Sequence, residues 1–240
     1  MNSFTFDGIS KPYLTVLKDS NRQPWAPIEW TYQDVPKRPG ALPVKKNTRV
    51  RALPLPVFLK GKSIEDLQKV KEDLAEWLIH DEPKPLIFDD EPDRIYYAVV
   101  DGSFDPDEIL KWGQGVIPFI CPDPFKYGTE KTITVTNSAT IEGTVSTNPI
   151  YTITFTAKAS EFKILHQDTG KFVRVIYGFV AGDVLVIDFT KRKITSNDRL
   201  QMTALDLSSN WFNLQKGVNR FTITPAGVTT TKLTYNPRWL

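Results

Sequence analysis

The 240-residue chain carries 30 Lys/Arg against 28 Asp/Glu, and a formal net charge of only +2 argues against a general nucleic-acid binder. Hydrophobic and charged fractions of 40% and 24% are those of a folded globular protein, and no apolar run approaches the roughly 18 residues of a membrane span. The single cysteine, Cys121, excludes an intrachain disulfide framework, and with His80 and His166 far apart no cysteine–histidine zinc site is expected. Cys121 lies in the apolar run VIPFIC and reads as a buried, inert thiol. The N-terminus MNSFTFDGIS lacks a basic segment followed by an apolar one, so export by a signal peptide is not expected.

The length fits two ordinary domains or one large all-β domain, and two are expected. Charge is uneven along the chain: Met1–Lys62 holds 11 Lys/Arg against 4 Asp/Glu, Ser63–Gly128 holds 6 against 16, and the remainder 13 against 8. Such blocks can balance within one folded domain. They also suit a basic face of one copy meeting an acidic face of the next, as a head-to-tail ring requires.

From Met1 to Leu59 the pattern is of short extended segments, FTF at 4–6, YLTVL at 13–17, WTYQDV at 30–35 and RVRALPLPVFL at 49–59. Between them PKRPGALPVKKN, residues 36–47, is rich in Pro, Gly and Lys and reads as an exposed loop or extended arm, an assembly segment if a neighbour orders it. A helix is expected over residues 63–80. Ser63 with Asp66 resembles a capping box, Ile64, Leu67, Val70, Leu74, Trp77 and Leu78 form one apolar stripe, and Pro83 and Pro85 stop the helix near His80. PLIF and RIYYAVV then read as a hairpin joined by the acidic DDEPD, and FDPDEIL as a turn followed by one helical turn.

After CPDPFKYG the composition shifts towards threonine, which places a domain boundary at about residues 127–130, giving domains 1–128 and 129–240. The second half shows no helical periodicity. KTITVT, YTITFTA, EFKILH, KFVRVIY, VLVIDF, RFTIT and TTTKLTY alternate with turn signals, as in a sandwich or jelly-roll-like domain.

The ordered set RVRALPLPVFLKG, SIEDLQKVKEDLAEWL, PLIFDDEPDRIYYAVVDG and VIPFICPDPFKYG resembles the N-terminal domain of the siphophage distal tail protein (Dit) family, also called the siphovirus tail component. AGDVLVIDFTKRKI, SSNWFNLQKGVNRFTI and TYNPRWL resemble that family's C-terminal β-sandwich, so the resemblance spans nearly the whole chain. It implies a mainly β protein, with an α+β N-terminal domain built as a tail-tube-like sandwich with one flanking helix and a hairpin, and a galectin-like or jelly-roll C-terminal sandwich. It implies a structural, non-enzymatic role without cofactors: a hexameric ring at the virion tail tip, assembled in the host bacterial cytoplasm. The expected partners are further copies of itself, the tail tube protein, the tail-tip protein and, for the C-terminal domain, receptor-binding proteins. DNA passes through the ring without specific binding, and no membrane is involved.

In this reading the hairpin at 85–100 or the arm at 36–47 bridges to the neighbour. The contact candidates are Lys45, Lys46, Arg49 and Arg51 on the basic side and Asp89, Asp90, Glu91, Asp93 and Arg94 on the acidic hairpin. The basic four also suit a channel lining, but dense cationic lining would hold DNA that must slide, because each neutralised phosphate strengthens binding. A solvated acidic turn is the plainer reading of Asp89–Asp93, beside a cation site or a glycosidase carboxylate pair. Asp168-Thr169-Gly170 matches the aspartic-protease triplet, yet Lys171 follows, there is no second copy, and a hairpin turn explains all three residues. Trp25, Trp30, Trp211 and Trp239 raise a carbohydrate-binding module as the alternative, with Trp211 as its platform. The chain has no P-loop, dinucleotide glycine turn, HExxH or GxSxG.

Overall fold

The structure, a computed structural model, describes residues 3–17 and 22–240, arranged as two compact units, Met1–Tyr127 with Leu240, and Gly128–Trp239. The first unit contains β1 (Phe4–Phe6), β2 (Leu14–Val16), β3 (Ile28–Asp34), β4 (Ala41–Thr48), β5 (Arg51–Lys60), α1 (Ile64–Leu78), β6 (Lys84–Phe88), β7 (Glu91–Val100), β8 (Asp107–Ile109), β9 (Trp112–Cys121) and β10 (Lys126–Tyr127). Its antiparallel sheet runs β1-β6-β7-β9-β5-β2, with β8 on β9 and β10 on β7, while β3 and β4 form a separate ribbon.

Strict alternation along β5 turns Leu53, Leu55, Val57 and Leu59 into the core. Its two prolines are tolerated for a geometric reason. Leu17 donates to the Pro56 carbonyl, so Pro56, and Pro54 two residues back, present their backbone away from β9. Their missing N–H groups therefore cost no bond in the long β5–β9 ladder. Pro118 sits opposite Pro54 and likewise faces outward, its carbonyl accepting from Asp101.

Helix α1 starts as its cap dictates. Ser63 Oγ accepts the Asp66 N–H at 3.2 Å, and the Asp66 carboxylate reaches back to the Lys62 N–H at 2.7 Å. Leu67, Leu74, Trp77 and Leu78 are buried with Phe4, Phe6, Val57 and Phe119 in one cluster. Each such side chain contributes about 1.5–3 kcal/mol on burial, so packing, more than propensity, holds this helix. Ile64, at the first turn, is the exception in the expected stripe and is exposed. The helix ends at Leu78, two residues before His80, because Ile79 is already extended.

Three sequence expectations change. Of residues 36–47 only 36–40 are a loop, since 41–48 pair with β3 as β4. Residues 107–109 form a strand hairpinned onto β9 through Leu110 and Lys111, where a helical turn was expected. The acidic connection is a two-residue turn, Asp89–Asp90, with Glu91 and Asp93 already in β7.

The second unit contains β11 (Lys131–Val135), β12 (Ser138–Ile141), β13 (Ile150–Phe155), β14 (Ala159–His166), β15 (Lys171–Phe179), β16 (Val184–Asp188), β17 (Lys193–Ser196), β18 (Arg199–Leu200), β19 (Gly217–Thr224), β20 (Thr229–Tyr235) and β21 (Arg238–Trp239). Two antiparallel sheets, β11-β20-β13-β16-β17-β18 and β12-β19-β14-β15, share one core. Phe155 from the first sheet stacks on Phe179 of the second at 4.0 Å and meets Phe162 edge-on, which joins the layers as in a β-sandwich.

Candidate functional site

The β3–β4 ribbon is exposed along nearly its whole length. The strands pair from Ile28↔Thr48 to Asp34↔Ala41 with one irregularity beside Thr31, and pair with no other strand among the described residues. Period-two spacing puts Ile28, Trp30 and Tyr32 on one face, with Lys46 opposite Trp30 and its ammonium 6.0 Å from the indole centroid. Trp30 is 44% exposed, Tyr32 61% and Val44 60%, and Trp25 just before the ribbon is 60% exposed. The stripe stays exposed on a two-stranded ribbon, a unit that is only marginally stable alone in water. Lys45 lies opposite Thr31 on the polar face, and Arg49, just past β4, pairs with Glu29 on β3. The reversal at 35–40 uses left-handed backbone at Lys37 (φ 62°) and Gly40 (φ 79°).

The acidic hairpin is more occupied than its sequence suggests. Asp89 accepts the Ser3 N–H at 3.1 Å, and Asp90 pairs with Arg22, whose guanidinium also covers the Phe88 ring. Glu91 turns inward, accepting from the Tyr96 hydroxyl at 2.8 Å and the Lys126 ammonium at 2.9 Å. Burial, then this bond to Glu91, pushes the Tyr96 phenol well above its usual range. Asp93 pairs with its neighbour Arg94. Only the Asp89–Asp90 tip and Asp93 are thus presented outward as strongly acidic groups.

Arg51 departs from its sequence assignment. Grouped with the basic contact candidates on charge, it is fully buried, because the alternation of β5 places it on the same side as Leu53 and Leu55. Its Nε–H donates to the Pro124 carbonyl at 3.0 Å and its Nη1–H to the Gln23 carbonyl at 2.7 Å, which fastens two chain segments to the end of the strand. It neither faces a neighbouring chain nor lines a channel.

In the second unit, Asp168-Thr169-Gly170 is the β14–β15 turn. Asp168 accepts the Arg220 N–H at 2.9 Å, Thr169 Oγ1 meets His166 Nδ1 at 2.8 Å, and Gly170 supplies a φ of 68°. Thr169 and Gly170 serve the turn itself, and Asp168 ties it to β19. Trp211 is half-buried against the core, edge-on to Phe189 at 4.9 Å, and Trp239 lies over Gly128. Both are only partly exposed. Among the described residues no group of three or more His, Cys, Asp or Glu is arranged to hold a metal ion.

Residues 9–121 match the model of the phage tail protein RIFT-related domain, and residues 142–239 that of the siphovirus-type tail component, C-terminal domain. The distal tail protein of Bacillus phage SPP1 is 34% identical over 189 residues, covering 76% of this chain and 75% of that protein. The crystal structure of SPP1 Dit, described as a paradigm of the hub adsorption apparatus in phages infecting Gram-positive bacteria, superposes with a TM-score of 0.88 over all of both chains at 23% identity. A chain of the phage p2 baseplate in its activated conformation gives a TM-score of 0.52 at 9% identity, with 98% of each chain covered.

Proposed function

This chain belongs to the siphovirus distal tail protein family, structural components of the phage tail, and we propose that it acts there as a hexameric ring hub that joins the tail tube to the tail-tip proteins around a channel for DNA. The first unit forms the ring. The observation that carries this reading is the β3–β4 ribbon, whose Ile28–Trp30–Tyr32 stripe is left uncovered by its own unit. Packed on an adjacent copy, the stripe gains the burial it lacks, and ring closure makes every such contact support the others.

Charge supports the same arrangement. The ribbon and its flanks are basic, with Lys45, Lys46 and Arg49, while Asp89, Asp90 and Asp93 lie on an acidic hairpin of the same unit. A surface bearing both signs in separate places suits contact between unlike patches of neighbouring copies, since like meets like only at a cost. The second unit, a self-contained sandwich, is the docking platform for receptor-binding proteins. Assembly takes place in the host bacterial cytoplasm and the finished ring sits at the virion tail tip.

Electron microscopy of the purified protein, alone and on isolated tail tubes, tests the reading. Rings with a central opening of roughly 20 Å or more, the breadth a duplex needs, are expected. Solid particles, or single copies under both conditions, overturn it.

A further inference from the structure

We propose that a groove at the C-terminal end of α1 is the seat for the basic tip of a neighbouring copy's β3–β4 ribbon. This rests on the ring reading above and assigns the acceptor that the reading leaves open. The groove encloses about 260 Å³ between the β1–β2 connection and the helix, lined by Asp7, Ile9, Asp73, Glu76, Trp77 and His80. Two apolar side chains, the buried Trp77 and the half-exposed Ile9, line it among these polar ones, and Ile79 is exposed just beyond the helix end.

Around them the charge is one-sided. Asp7, Asp73 and Glu76 face the groove with Lys11, which is bonded to Asp73 at 2.8 Å, and the Tyr13 hydroxyl also bonds Asp73. Lys84 comes only within 3.8 Å of Asp7, and the Glu76 carboxylate has no partner among the described residues. The helix adds to the imbalance. Its last turn holds no basic residue, Asp81 and Glu82 follow at once, and the carbonyls of a helix C-terminus carry roughly half a negative charge. The His80 ring partly covers this end, its Nε2 3.0 Å from the Trp77 carbonyl, but the last turn holds no Lys or Arg.

The ribbon tip supplies both. Lys37 and Arg38 project at the reversal with exposed side chains that have no partner among the described residues, and a turn closed by Arg38 N–H on the Val35 carbonyl at 3.1 Å fixes their place. The seven residues of β3 reach roughly 23 Å at about 3.3 Å per residue, enough to span to an adjacent subunit. In its own chain the tip does not enter the groove, so the contact is made in trans. Two different patches meeting in this way form a heterologous interface, the kind that closes into a ring.

Cysteine exchange between two full-length variants tests the seat. Arg38→Cys protein is mixed with Glu76→Cys protein under mild oxidant, while light scattering reports particle size separately. Both positions are exposed, so the fold is not at risk, and the native Cys121 is buried. The expected result is a band shifted from 27.3 kDa to twice that mass in the mixture and in neither protein alone, because a disulfide demands Cα atoms within about 7 Å. Ring-sized particles without this link overturn the groove as acceptor and leave the ring reading standing. Absence of any particle larger than a monomer, alone and on tail tubes, removes the ring reading and this inference with it.

Discussion

Trp77 donates its indole N–H to the main-chain carbonyl of Phe6 at 3.0 Å, so one side chain ties the end of the only α-helix among the described residues to the edge strand β1. The same ring stacks on Phe4 at 5.4 Å with planes 7° apart. Helix, strand and core are fastened at a single residue. Trp77→Ala removes the stack and the bond and leaves a cavity, with an expected loss of about 3–5 kcal/mol in urea unfolding. Trp77→Phe keeps most of the volume and loses less than half of that.

Beside it, the Asp73 carboxylate accepts from the Lys11 ammonium at 2.8 Å and from the Tyr13 hydroxyl, which pins β2 and its lead-in to the helix. The Lys11 bond first, then that of Tyr13, holds the Asp73 carboxyl below its usual range, while burial and then Asp73 raise the Tyr13 phenol. A carboxylate with a depressed folded pKa stabilises above its unfolded value, and that contribution disappears as the pH falls through the folded one. Asp73→Asn is therefore expected to lower the melting temperature at pH 7 and to converge with the native protein below roughly pH 4. With the carboxylate 44% exposed, the effect stays under about 1 kcal/mol. A constant difference down to pH 2 contradicts the account.

Asn219 is buried under four contacts. Its Oδ1 accepts the Gln215 N–H at 2.9 Å and lies 3.1 Å from His166 Nε2, while its Nδ2 donates to the carbonyls of Gln215 and Gly217. Those partners fix the amide orientation, so the His166 Nε2 carries the proton in this bond. Asn219→Leu strands several buried polar groups at about 1–3 kcal/mol each. Loss of near-ultraviolet signal from the second unit at lower urea is the expected readout, with little change in the first.

Much of this was legible in the sequence because the signals were local. The Ser63 cap, the α1 stripe and the alternating runs of the second unit name their elements without any long-range information. Of the β3–β4 ribbon, β3 was legible at 30–35 but β4 was not, since Pro36, Pro39, Gly40 and Pro43 punctuate it like a loop, and only cross-strand pairing makes 41–48 a strand. Arg51 was misread for a related reason: charge suggested surface, while the β5 alternation that buries it depends on where the core lies. The groove at the end of α1 brings together residues 7–11 and 73–80, and no sequence window contains both.

The Cys121 thiol is fully buried at the end of β9, and burial pushes its pKa up to about 12, with Arg51 opposing. The native protein is expected to resist iodoacetamide at pH 8 and to take up one equivalent once unfolded in urea. Rapid native labelling means that the β5–β9 end opens.

The central claim is that six copies close a ring through the β3–β4 ribbon, and its most direct measurement is the molar mass by size-exclusion light scattering of the native protein beside a Trp30→Ser/Tyr32→Ser variant. The account predicts a species of about six times 27.3 kDa, alone or on tail tubes, that reverts to single, folded copies in the variant. A native protein that stays monomeric under both conditions, or a variant that assembles as well as the native chain, contradicts it.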